Sequence, residues 1–294
     1  VRRPAPAHRP ATDEPRGLLR ALLRVPTFQG FRYPEYRLLW YGQVGNGLGH
    51  WMDQVARGWL MYELTNSAVQ LGAVTAVRAI PLLLFSPVAG TLADRHGRKT
   101  QLVVAEAVNA VLYAVLAILV LTRLVEPWHL YAVAVGSAVV QVFHGPARQA
   151  MITESVEPHD MTNAIGLSSI AFNGSRTLGP TIAGVLIALA GTGAAYVVQA
   201  GLFAATTIWT IQLRGDVDRR HSESRHGPRP SFLTSMVEGW RFVRHNETVR
   251  SGMLVLMLAS FLAVPFSTLL PIFAKDVMRA GASGQGLLLT GMGV

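Results

Sequence analysis

The chain has no cysteine in 294 residues, which excludes a disulfide framework, a thiolate nucleophile and a Cys-ligated metal. Charge is also scarce. Charged residues make up 15% of the chain, and only Lys99 and Lys275 among the basic ones are lysines. The nine histidines show no H-E-x-x-H spacing, so no metal site is expected. A phosphate-binding G-x-x-x-x-G-K-[ST] loop is missing, which excludes an ATP-driven pump of that kind. Gly45-Asn46-Gly47-Leu48-Gly49 lies inside a helical run with no strand before it, so it is not a dinucleotide fingerprint.

Apolar residues fill the place of the missing charge. Half the chain is hydrophobic and the mean hydropathy is +0.33. Seven apolar runs, at 36–62, 67–91, 100–122, 128–150, 161–190, 193–212 and 251–274, each have the ~20 residues needed to cross a bilayer. An eighth begins near Gly284. An ordinary soluble globule is thereby excluded. Ser67 is expected to cap the second helix, Pro127 to open the fourth and Asp160 to cap the fifth, while Gly191-Thr192-Gly193 separates the fifth from the sixth.

The basic residues sit between these runs. Residues 1–37 carry eight arginines against three acids, a net +5; 94–99 carry +2 and 213–250 carry +3. Positive charge confined to polar connections follows the positive-inside rule and argues against a nucleic-acid-binding face. The N-terminus and the loops at 92–99, 151–160 and 213–250 are therefore expected in the cytoplasm. No apolar run of 7–15 residues follows the first arginines before the first span, so no cleaved signal peptide is expected. Four segments result: a disordered or amphipathic cytoplasmic arm over 1–35, a six-helix bundle over 36–212, a cytoplasmic linker with an interfacial helix over 213–250, and the start of a second bundle over 251–294. Leu18, Leu19, Leu22 and Leu23 would form the short amphipathic helix of the arm, and Phe232, Met236, Trp240 and Val243 the interfacial one.

Ionisable side chains inside spans cost ~2.5–3.5 kcal/mol each on insertion scales and mark candidate function. Asp53 and Arg57 stand four residues apart on one helix face, with Asn46 and His50 on the same helix. Arg78, Glu106, Asn109, Gln141, His144, Arg148, Asn173 and Arg176 lie in other spans. These groups must face one another or water, so the bundle is expected to enclose a polar cavity. Asp53 with Arg57 is read either as a self-neutralising pair or as a coupling or substrate group, with Asn46, Arg78 and Arg176 as companions. Glu106 and Arg148 lie near the cytoplasmic ends of their spans, where a structural salt bridge is expected. A membrane-embedded enzyme would have to pair Ser175 with His144. No catalytic residue is expected.

Two motifs carry a resemblance. Gly90-Thr-Leu-Ala-Asp94-Arg95-His-Gly97-Arg98-Lys99 resembles the G-x-L-x-D-R-x-G-R-[KR] signature of the major facilitator superfamily, at every specified position and in the matching loop between spans two and three. Gly166, Ser175, Gly179-Pro180 and Ala183-Gly184 are similar to that superfamily's antiporter motif, G-x8-G-x3-G-P-x2-G-G, with serine and alanine in place of two glycines. A small-residue helix interface with a proline kink fits the same residues. Other strings, among them FHGPARQAMITESV and EGWRFVRHN, look like the bacterial branch of enterobactin-exporter-like and macrolide-efflux-like permeases.

The resemblance implies an all-α membrane fold in which this chain covers the first six-helix half and the opening of the second. It further implies proton-coupled efflux of a small organic molecule (drug, siderophore or metabolite) across the bacterial inner membrane by alternating access. No cofactor is implied beyond the proton gradient as energy source. The implied partners are the lipid bilayer and the substrate, with no nucleic acid, and the complete protein would be a monomer. A solute importer of the same fold and an inactive half-transporter are the alternatives.

Overall fold

The computed structural model describes residues 26–85, 97–213 and 241–293. A 3-10 turn at Pro26–Arg32 leads into α1, Pro34–Thr65. Next come α2, Ala68–Phe85, then α3, Arg98–Leu121, and α4, Pro127–Glu154. The long stretch Met161–Ile211 folds back at Gly191 into α5 (161–190) and α6 (192–211). Past residue 240 come α7, Glu247–Ile272, a π-turn at Phe273–Val277, and α8, Gly281–Gly293. Every regular element among the described residues is helical.

Four helical stretches among the described residues are long and apolar enough to cross a membrane. They are α2, α3, α4 and Pro158–Ile211, the last long enough, at 54 residues, for the two passes of α5 and α6. The described helix ends fall within a few residues of the expected runs, but α1 and α7, two of the seven expected spans, are not among these four stretches. The amphipathic helix expected at 18–23 lies outside the described residues. Of the interfacial helix, only 241–243 are described, inside a helical stretch over 241–245.

Local chemistry accounts for the helix ends. The Ser67 side chain accepts from the Gln70 backbone N–H at 3.4 Å and starts α2, and Pro127 occupies the first turn of α4. Asp160 behaves differently from expectation, because its side chain makes no capping bond to α5. Its carboxylate instead accepts the Tyr33 hydroxyl at 2.9 Å, a tertiary bond that outcompetes the local one. Gly191 has φ 79° and ψ 171°, a region open essentially to glycine alone, and this one residue reverses the chain between α5 and α6.

Packing divides into two cores. The larger gathers Met52, Val55, Leu60, Tyr113, Leu116, Leu130, Tyr196 and Phe203 from α1, α3, α4 and α6. A smaller one, around the start of α1, holds Tyr36, Leu39, Leu102, Met151, Ala164 and Leu167. Around it the start of α1 and the turn before it are pinned to α5. The Gly30 N–H donates to Asn163 Oδ1 at 3.0 Å, the Tyr36 hydroxyl to the Ala164 carbonyl at 2.7 Å, and the Trp40 indole to the Leu167 carbonyl at 3.0 Å. Burial together with the Asp160 carboxylate pushes the Tyr33 phenol above its ordinary pKa, so it stays a donor at neutral pH.

Candidate functional site: buried charges of the bundle

Asp53 and Arg57, one turn apart on α1, form a buried salt bridge with 0% and 5% of their surfaces exposed. A pair so placed has given up its hydration and depends on complete hydrogen bonding to recover the cost. Recovery here is partial. Among the described residues, Asp53 Oδ1 and Arg57 Nη1 have no hydrogen-bond partner, and neither do Asn46 Nδ2, Asn109 Oδ1, the Tyr196 hydroxyl and both ends of the Gln199 amide. The aromatic wall beside them is a stack of Tyr113 on Phe203, with centroids 5.0 Å apart, and Tyr113 on Tyr196, 6.3 Å apart.

Arg78 reaches this group from α2, where the helix loosens into a turn at Val77–Arg78. It interacts electrostatically with Arg57 and Asp53 of α1. His50 is half-buried in the same electrostatic neighbourhood. The structure thus brings Asn46, His50, Asp53, Arg57 and Arg78 into one region. Arg176 stands apart on an exposed face of α5, its guanidinium 5.8 Å from the Trp51 ring centroid. Gln141 is exposed, and the Asn173 amide donates to the Ser169 carbonyl of its own helix at 2.9 Å.

A second cluster joins α3 and α4 to α1 and α6. Arg148 on α4 pairs with fully buried Glu106 on α3, and its Nη1 donates to the Leu39 carbonyl of α1 at 2.8 Å. Its Nε donates to His144 Nε2 at 3.3 Å, and the Thr210 hydroxyl of α6 donates to Glu106 Oε2 at 2.6 Å. Four helices are joined through one ion pair whose groups are almost all satisfied. The sequence placed Glu106 and Arg148 at similar depth. It gave no sign of Thr210 or the Leu39 carbonyl, since nothing local ties those positions to the pair.

Of the loop motif, Gly90, Asp94 and Arg95 lie outside the described residues. Gly97 starts α3, Arg98 bridges to Glu154 of α4, and Lys99 donates to the Leu213 carbonyl past the end of α6. The second motif is a packing device for most of its length. A methyl at Gly179 would sit 2.6 Å from Trp51 Cβ, and one at Gly184 would sit 2.7 Å from the Ala282 carbonyl oxygen of α8. Ser175 faces Gly47, and its hydroxyl donates to the Val44 carbonyl at 3.3 Å. Ala183 is buried. Gly166 is the exception, with nothing within 4 Å of where a Cβ would stand. Ser175 is thus committed to α1 and His144 to the Glu106 cluster, so they do not form a nucleophile–base pair.

These features define a polytopic helical membrane protein with buried charge and tight glycine-mediated helix contacts. Comparison with known proteins is specific. Residues 25–294 match the major facilitator family described as transmembrane secretion effectors, and the chain belongs to that family. The family is one of transporters, not enzymes. The staphyloferrin A transporter of Staphylococcus aureus is 24% identical over 245 residues, covering 83% of this chain and 60% of that protein. Macrolide efflux protein A of Streptococcus pyogenes is 26% identical over 244 residues, 82% of this chain and 59% of that one. The multidrug efflux pump Tap of Mycolicibacterium fortuitum is 26% identical over 263 residues, 87% and 64% respectively. The chain spans about three-fifths of the length of these relatives.

Proposed function

We propose that the complete protein is a secondary active transporter that exports a small organic molecule by alternating access, driven by the proton gradient and with Asp53 as the coupling group. The observation that carries this reading is the Asp53–Arg57 pair, buried in a membrane bundle at considerable cost and left, among the described residues, with one unpartnered oxygen and one unpartnered nitrogen. A carboxylate that exchanges a proton must hold alternative partners, and an incompletely bonded pair offers that freedom where a saturated one does not. Export is supported by the names of two of the relatives, the macrolide efflux protein and the multidrug efflux pump. The protein is read as an inner-membrane monomer with its N-terminus in the cytoplasm, needing no cofactor.

The deciding experiment loads cells expressing the complete protein with a macrolide and other small organic probes. Export should stop when a protonophore collapses the gradient. Efflux that persists unchanged under the protonophore would rule out proton drive.

Orientation has its own test. In this cysteine-free chain, cysteines introduced at Ser222 in the linker and at Ala194 beyond Gly191 should react with impermeant thiol reagent from opposite sides of the membrane. Labelling of the Ser222 position from outside would overturn the topology. In the loop motif, Asp94→Asn is expected to impair export with little change in protein level, because it removes a charge from a cytoplasmic loop and not from a packed core. Efflux equal to wild type at matched protein levels would exclude a role for Asp94 in the transport cycle.

A further inference from the structure

Helices α1 and α6 run side by side in opposite directions, with glycines of α1 at the contact. A methyl at Gly45 would lie 2.7 Å from Thr206 Cγ2, and one at Gly49 would lie 2.8 Å from the Phe203 ring. Four residues up α1 therefore correspond to three down α6. Continued by two more turns, the same register sets Asp53 beside Gln199 and Arg57 beside Tyr196. Tyr196 interacts electrostatically with both Asp53 and Arg57, as this register requires. Tyr113 of α3 closes a third side, stacked on Phe203 and on Tyr196.

The side chains at this level are left incomplete. Asp53 Oδ1, Arg57 Nη1, the Tyr196 hydroxyl and both ends of the Gln199 amide are buried without a hydrogen-bond partner among the described residues. All four residues are buried within the first six helices, so lipid does not reach them. Buried polar groups are almost always paired, and several orphans in one place call for a shared partner. The Glu106–Arg148 pair shows the contrast. There the remaining groups are taken up by protein, by Thr210 and the Leu39 carbonyl. Here donors and acceptors are mixed around a pair that is already neutral. A charged ligand would add an uncompensated charge, whereas water, which both donates and accepts, answers each kind of group.

We propose that Asp53, Arg57, Tyr196 and Gln199 enclose a site for bound water between α1 and α6, and that this water carries the proton to and from Asp53 Oδ1. The proposal rests on the proton-coupled reading of Asp53 above and adds the group that relays the proton. A proton leaving the Asp53 carboxyl passes to a water oxygen, and that water hands one of its own protons to a neighbouring water. Asp53 returns to the carboxylate, and Arg57 keeps its charge throughout. Gln199 and Tyr196 are positioning residues: they hold the water against Oδ1 and exchange no proton of their own.

The test irradiates the complete purified protein with X-rays in water enriched in heavy oxygen, so that hydroxyl radicals formed at bound water label the side chains beside it. Tyr196 should take up label although it is buried. Met151, equally buried in the smaller core and more easily oxidised, should stay unlabelled. Gln199→Met, which keeps the length and removes both polar atoms, should lower the Tyr196 labelling rate about tenfold. In cells it should lower proton-driven export about tenfold relative to substrate counterflow, which needs no net proton transfer, and Tyr196→Phe should act in the same direction. Loss of folded protein lowers export and counterflow alike, so their ratio isolates the relay. Absence of label at Tyr196 in the wild type, or label at Met151 at the same rate, would overturn the water site. An unchanged ratio in both variants would overturn its part in proton transfer. Export insensitive to a protonophore would refute the coupling reading instead, and label at Tyr196 that falls in Gln199→Met would still establish the water.

Discussion

Asp53→Asn in the complete transporter is expected to abolish proton-driven export while part of the substrate binding survives. The amide keeps the shape of the side chain and can still accept from Arg57, but it cannot take up and release a proton. Asp53 is fully buried, so the substitution also leaves Arg57 without its counter-charge, and breaking a buried pair costs about 3–5 kcal/mol when nothing compensates. Export must therefore be compared at matched amounts of folded protein, with binding measured separately from accumulation. A variant that still builds a substrate gradient, collapsing with a protonophore, would make Asp53 structural. Glu106 would then be the next carboxylate to neutralise.

Arg148→Ala should have the largest effect on stability. The change strands the buried Glu106 carboxylate with Thr210 and His144 and removes the donor to the Leu39 carbonyl. The expected loss is about 3–5 kcal/mol, seen as a fall in the folded fraction after detergent extraction and a lower midpoint of thermal unfolding. Neutralising both partners together, with Glu106→Gln and Arg148→Met, should recover a large part of that loss, since no uncompensated charge remains. Wild-type stability in Arg148→Ala would show that the four helices do not depend on this pair.

Much of the fold was legible because the bilayer imposes a simple rule on sequence: twenty apolar residues, then a polar break. Ser67, Pro127 and Gly191 act where local chemistry places them, since a cap or a reversal is decided by the residue and its immediate neighbours. Asp160 shows where that logic stops. Its neighbours predict a cap, but Tyr33, far away in sequence, offers a better donor. The same holds for the buried charges. Asp53 and Arg57 share a helix face and could be paired by counting, and Glu106 with Arg148 by depth, while Thr210 and the Leu39 carbonyl required the tertiary structure. In the small-residue motif, serine at 175 and alanine at 183 occupy positions where small size is what the packing needs. Gly166 matches the pattern, yet a Cβ there would meet nothing within 4 Å. Gly90, Asp94 and Arg95 matched their signature by residue type, and the structure describes only Gly97, Arg98 and Lys99 of it.

The reversal at Gly191 bears on how the chain enters the membrane. Helices α5 and α6 are joined by so few residues that no polar loop exists between them. The two helices must then pass into the bilayer together as a hairpin, each satisfying its own backbone hydrogen bonds, with both ends remaining on the starting side. A side chain at 191 would meet open space, so its penalty is torsional alone. Its effect would fall on the step at which the hairpin folds back on itself during biogenesis.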